Sequence, residues 1–365
     1  MYLPANSIFP QSFAFATIIL GLWIGIGMPG TLSAGSPALT STPPVPLEQV
    51  QHVLIETVAL TEKGVQDSAL LQQVVSERLA KTGFTPVRDI NSPHDIILRV
   101  KCEERKTQTG PSKHRKGGHP SASASRLWKG PACHISYRYQ GKQAIWSWEV
   151  RTSFEEPRQA AKDAGATNSG MYALKELQAQ LARDEWPLYL AAEWGQTDRL
   201  IHLFHGATDQ LDRRRLILQL LGPVASPTVL STIQEATQDQ DLALTAIAAL
   251  GDQGEVAIPS LVNILDTSPR PEHQLAALKA LGEIATHSAN PRLYDVFIEQ
   301  LQALDPRMQT IAVRGLGKLG NLRAITPIET LNLQVWSNPS TDPEIQALRE
   351  ALNWSLFQLA PASHF

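Results

Sequence analysis

Cys102 and Cys133 are the only cysteines in the 365-residue chain, and with His114, His119 and His134 around them they are the residues best suited to chemistry. Cysteine and histidine are the donor types of a zinc site, but the spacing here fits no recognised ligand pattern and no metal is assigned. As a pair, the two thiols flank a long loop at the ends of segments that read as neighbouring strands. In an oxidising compartment a disulfide there would close a loop of about 30 residues, contributing roughly 3–4 kcal/mol on a chain-entropy estimate. Two unpaired buried thiols are the alternative. A nucleophile elbow, a phosphate-cradling glycine loop, a His-Glu metal helix and a dinucleotide fingerprint are all missing from the sequence. Gly315, Gly317 and Gly320 have the spacing of a dinucleotide loop but open no strand-helix-strand unit, so they read as the end of a helical repeat. The chain therefore reads as a non-enzymatic protein with no cofactor.

The cysteines need elements to hold them. Residues 53–60 form a strand rich in branched side chains, and Leu70, Leu71, Val74, Val75 and Leu79 then recur at helical spacing up to Lys81-Thr82-Gly83. Residues 84–88, 96–103, 134–140 and 144–154 read as strands, the last two alternating through Tyr137, Tyr139, Trp146, Trp148 and Val150. Tyr139-Gln140-Gly141-Lys142 is a tight hairpin turn between them. A helix over 171–183 closes a β-α-β-β-β-β-α unit, a small α+β sandwich spanning 48–185. Its order resembles the small α+β modules of bacterial envelope proteins, a likeness that carries over no functional residue. The loop at 105–129 is rich in Ser, Gly, Lys and His, and no acid occurs from Arg105 to Trp148. It reads as a solvated insertion or as a contact to an anionic surface.

Beyond the sandwich the period changes. Four phrases end in Leu221-Gly222, Leu250-Gly251, Leu281-Gly282 and Leu316-Gly317; the differences 251−222, 282−251 and 317−282 give spacings of 29, 31 and 35 residues. Such a period means stacked helical hairpins, because one hairpin cannot bury its own apolar face. Each glycine is expected to take the left-handed conformation that stops a helix. A second apolar helix follows each stop, with Pro259 and Pro327 early in two of them. These phrases resemble HEAT repeats, particularly the short kind of phycobilisome lyases, which implies an α-solenoid over 186–360. The segment from Trp186 to Ala207 is similar to one ankyrin repeat and reads as the first hairpin; 344–359 reads as a capping helix. HEAT arrays often carry an arginine ladder, eight residues before each glycine. Here those positions are Arg214, Ala243, Gln274 and Gln309, so a continuous ladder is not expected.

The resemblance implies binding of another protein along the concave side. The outward positions, three, seven and eight residues before each glycine, include Arg214, Arg215, Gln219, Gln274, Lys279, Gln309 and Arg314 and hold no acid. An uncharged run at 12–28 followed by small residues reads as a signal peptide over 1–34, with 35–47 as linker. An uncleaved membrane anchor and a buried core helix are the other readings of that run. Net charge is only −3 and hydrophobic content 43%, which gives no electrostatic case for nucleic acid. The expected protein is an exported, multidomain scaffold of the periplasm or cell envelope, an α+β sandwich followed by an all-α HEAT-type solenoid. Its rivals are a glycan, lipid or small-molecule binder using Tyr137, Tyr139, Trp146 and Trp148, and a cytosolic helper of the bilin-lyase type, against which the export segment argues.

Overall fold

The computed structural model describes residues 45–104, 130–337 and 340–360. The apolar run at 12–28 and the loop at 105–129 lie outside the described residues, as does the linker up to residue 44. The strands β1 (His52–Thr61), β2 (Gly64–Gln66), β3 (Thr85–Val87), β4 (Ile96–Glu103), β5 (Ala132–Tyr139) and β6 (Lys142–Arg151) form one mixed sheet. Its order is β2-β1-β4-β5-β6, with β3 alongside the start of β1. β1 runs parallel to both β3 and β4, and the other pairings are antiparallel. Alternation sets the faces: Ile96, Leu98, Val100 and Cys102 of β4 are buried while Arg99 is exposed. Between β5 and β6, Gln140 (φ 52°) and Gly141 (φ 74°) both occupy the left-handed region, as the two-residue hairpin requires.

Helix α1 (Ala69–Lys81) buries Leu71, Val75 and Leu79, one residue per turn, and α3 (Ser169–Arg183) buries Ala173, Leu174, Leu177 and Leu181. Both pack on the sheet and on each other; the short α2 (Pro157–Asp163) lies against α3. Eleven helices follow: α4 (Trp186–Glu193), α5 (Thr197–Gly206), α6 (Leu211–Leu221), α7 (Pro227–Ala236), α8 (Ala243–Asp252), α9 (Ile258–Thr267), α10 (Pro271–Ile284), α11 (Pro291–Gln300), α12 (Pro306–Leu319), α13 (Ile325–Ser337) and α14 (Pro343–Leu359). Proline opens five of them, where its missing N–H is not needed. Asn290, Asp305 and Asp342 cap α11, α12 and α14 by accepting a backbone N–H. Successive helices α6, α8, α10, α12 and α14 pack one on the next, and α7, α9, α11 and α13 each pack on the member of that row that follows. This is the alternation of a helical solenoid.

The repeating glycines do not stop their helices by a left-handed turn; only α6 ends at its glycine, with Gly222 as the cap residue. Gly222 is right-handed (φ −44°, ψ −54°), and α8, α10 and α12 run on past Gly251, Gly282 and Gly317. Three of them serve close approach: a Cβ on Gly222 would lie 2.8 Å from Asp252 Oδ2, one on Gly251 3.1 Å from Ala280, and one on Gly317 2.7 Å from the Ser355 hydroxyl of the next helix in the row, whereas at Gly282 the nearest atom is in ordinary contact. Left-handed turns come three residues later, at Gly254 (φ 70°) and Gly320 (φ 65°).

Candidate functional site

Cys102 and Cys133 lie directly opposite each other across β4 and β5 and are joined by a disulfide. Both are fully buried under the helices, at 1% and 0% exposure, which removes the thiols from metal chemistry. His134 is on the same strand as Cys133 but points to the exposed face, by the alternation of the pleat. Among the described residues no group of three or more Cys, His, Asp or Glu could hold a metal ion.

Of the aromatic residues that would line a ligand cavity, Tyr137 and Trp148 pack into the joint between the sheet and the first helices, while half-buried Trp146 also borders an open cleft on the sheet with Arg99, Lys101, His134 and Ile145. Trp194 presents an edge contact to Phe84 at 5.3 Å and to Tyr137 at 5.5 Å, and Tyr137 lies 6.0 Å from Trp146. Trp148 stacks on Tyr189 at 4.2 Å and donates its indole N–H to Asp184 Oδ1. Tyr139 donates its hydroxyl to the Val45 carbonyl. Burial, reinforced by the Glu193 carboxylate that accepts from the phenol, pushes Tyr137 up to about 12. Burial likewise raises Asp184, against the opposing pull of the Trp186 N–H, the Trp148 indole and Arg78. The hydrophobic core runs without interruption from Val50 through Trp186 and Trp194 to Leu359.

Polar groups fasten the same joint. Arg199 lies over the Phe84 ring, donates to Thr82 O and to Gln51 Oε1, and so ties α5 to the sheet. Gln196 Nε2 donates to Leu47 O and Val50 O. Arg78 of α1 and Arg213 of α6 both reach Glu185. None of these contacts is local in sequence; Arg78 and Glu185 are 107 residues apart. Sequence periodicity carries no signal for them.

The row of first-layer helices holds the expected partner-binding positions. Gln219, Ala248, Lys279 and Arg314, three before each glycine, are all exposed, and so is Leu244 (50%). Arg215 is 41% exposed; it donates to the Asp241 carbonyl and approaches Asp212. The positions eight before each glycine turn towards the stack. Arg214 pairs with Asp239 at 2.9 Å and lies over Phe204, one rung of a ladder. Ala243 is completely buried. Gln274 and Gln309 are half-buried and donate to the turn carbonyls of Ser268 and Leu301.

No helix among the described residues is long and apolar enough to cross a membrane. Residues 258–334 match the family model of HEAT repeats. No curated protein matches the chain. Among solved structures, one described as an engineered protein aligns at 18% identity with a TM-score of 0.34, covering 56% of this chain and 60% of its own. The matched segment spans helices α9 to α13 and takes in Gly282 and Gly317 of the glycine-marked stack, so over residues 258–334 the stack is similar to HEAT repeats.

Proposed function

We propose that this chain is an exported scaffold that binds an acidic or polar segment of another envelope protein along the exposed row of α6, α8, α10 and α12. HEAT repeats serve as protein-interaction scaffolds, and stacked hairpins offer long surfaces whose affinity comes from area and a few anchors. The observation that carries the reading is the outward row itself: Arg215, Gln219, Leu244, Ala248, Lys279 and Arg314 are accessible and include three cations and no acid. Asp212 and Asp241 flank Arg215, so Lys279 and Arg314 have the larger part in steering a partner. The Cys102–Cys133 disulfide supports export, because such bonds persist in oxidising compartments. Packing of Tyr137 and Trp148 into the joint favours the scaffold over a ligand-binding sheet domain.

A fluorescent peptide rich in Asp and Glu is the probe, with anisotropy measured at low and high salt. Arg215→Glu, Lys279→Glu and Arg314→Glu together should weaken its binding about tenfold at low salt and less at high salt, because exposed charge pairs are screened. Equal binding by a folded triple variant would end the reading.

A further inference from the structure

The joint between sheet and repeats contains a cleft whose walls carry more positive than negative charge. Its walls are Arg78 and Lys81 from the last turn of α1, Glu185 ahead of α4, His202, Leu203, Gly206 and Ala207 from α5 and its end, and Gln210 and Arg213 at the start of α6, enclosing about 390 Å3. Arg78 and Arg213 are nearly buried, their side chains only 9% and 12% exposed. Both converge on one carboxylate: Arg78 Nη2 lies 3.0 Å from Glu185 Oε2, and Arg213 Nη1 lies 3.2 Å from the same oxygen. Arg78 also donates to the Asp184 carbonyl, and its Nε has no hydrogen-bond partner. The Asp184 carboxylate accepts from the Trp148 indole and the Trp186 N–H and lies outside the cleft wall, but it is close enough to Arg78 to offset part of its charge.

The walls therefore bring three permanent cations and one acid, with the exposed Lys81 and His202 at the rim. A guanidinium held out of water without a full counter-charge is destabilising, and a bound anion removes that cost. The fork of an arginine matches the oxygens of a phosphate group, and a lysine beside it adds a point charge. Leu203 and Ala207 give the wall an apolar part for the organic remainder of a ligand. We propose that this cleft binds the phosphate group of a small phosphomonoester, bridging α1 of the sheet module to α5 and α6 of the repeats.

Thermal unfolding of the mature chain tests this with inorganic phosphate and glycerol 3-phosphate, against chloride at matched ionic strength. At about 10 mM either phosphate should raise Tm by about 2–4 °C. The shift should vanish in Lys81→Glu and fall at least severalfold in His202→Ala, two exposed rim variants that leave the Arg–Glu contacts intact. It should persist in Lys279→Glu/Arg314→Glu, which separates this site from the partner row. Cosedimentation with phosphatidic acid vesicles, lost in Lys81→Glu, would identify the phosphate source as a lipid headgroup; soluble phosphomonoester binding alone identifies a free ligand. Absence of any phosphate-specific shift, or a shift unchanged by Lys81→Glu, overturns the proposal.

Discussion

Gly282 and Gly315 both sit inside helices of the first row, yet a methyl group at each would meet different surroundings. At Gly315 it would lie 2.6–2.8 Å from three ring atoms of Phe297, a buried side chain with nowhere to move; at Gly282 its nearest neighbour is Ile311 Cγ2 at 3.6 Å. Gly315→Ala should therefore destabilise by about 1–3 kcal/mol through overpacking. Gly282→Ala should stabilise by about 0.5–1 kcal/mol, since alanine is the better helix former and nothing has to shift. Urea titrations of the two variants decide the matter, and equal signs would show that the facing side chain does not set the effect. Tyr137 supplies a second residue-scale test. Its phenol is held protonated up to about 12 in the fold but ionises near 10 in the unfolded chain, so its contribution is complete below pH 10 and is lost as pH rises towards 12. Burial raises Tyr189 in the same sense. The urea midpoint should fall across that window, and less steeply in Tyr137→Phe; an identical slope would remove Tyr137 as a contributor.

Between helices, the end of α6 depends on one amide. Gln253 is 8% exposed, and its Nε2 donates to the carbonyls of Leu221, Gly222 and Val224 at and just beyond the helix end, where Leu221 O also accepts the Val224 N–H. Gln253→Ala should cost about 1–3 kcal/mol in unfolding free energy. Gln253→Glu should cost more at neutral pH, because it sets a carboxylate against three carbonyl oxygens with no proton to donate. Lowering the pH to protonate that carboxyl should close part of the gap, and a Glu variant no worse than Ala would refute this role. The hairpins themselves were readable from sequence, because apolar residues at helical spacing can be buried in few other ways. The glycines were not: after a leucine at the end of an apolar helix a glycine fits a helix stop or a close approach equally well. What decides is the facing side chain, Asp252 for Gly222 or Ala280 for Gly251, about 30 residues away in sequence. Gln253 has no periodic partner and was invisible for the same reason, as were Gln196 and Arg199 at the sheet end of the stack.

Taken whole, the described residues bury a single core that passes from sheet to repeats through Trp194, which touches Phe84 and Tyr137 on one side and belongs to the first hairpin on the other. The strands and the disulfide were legible because alternation places Cys102 and Cys133 at facing ends of neighbouring strands; the joint was not, because its contacts span more than 100 residues. This continuity makes the disulfide's effect a property of the entire chain. The bond closes a separation of 31 residues between β4 and β5, so its removal should cost about 3 kcal/mol by restoring freedom to the unfolded chain. Cys102→Ser/Cys133→Ser, with no lone thiol left to mispair, should lower the melting point of the sheet. Because α4, α5 and α6 share the core and the Arg78–Glu185–Arg213 contact with that sheet, the repeats should melt in the same step. Far-UV circular dichroism, dominated by the repeat helices, and tryptophan fluorescence, weighted to the joint, should move down together in one transition. A helical signal that keeps its original midpoint while the fluorescence midpoint drops would show two independently folding units joined by a passive interface.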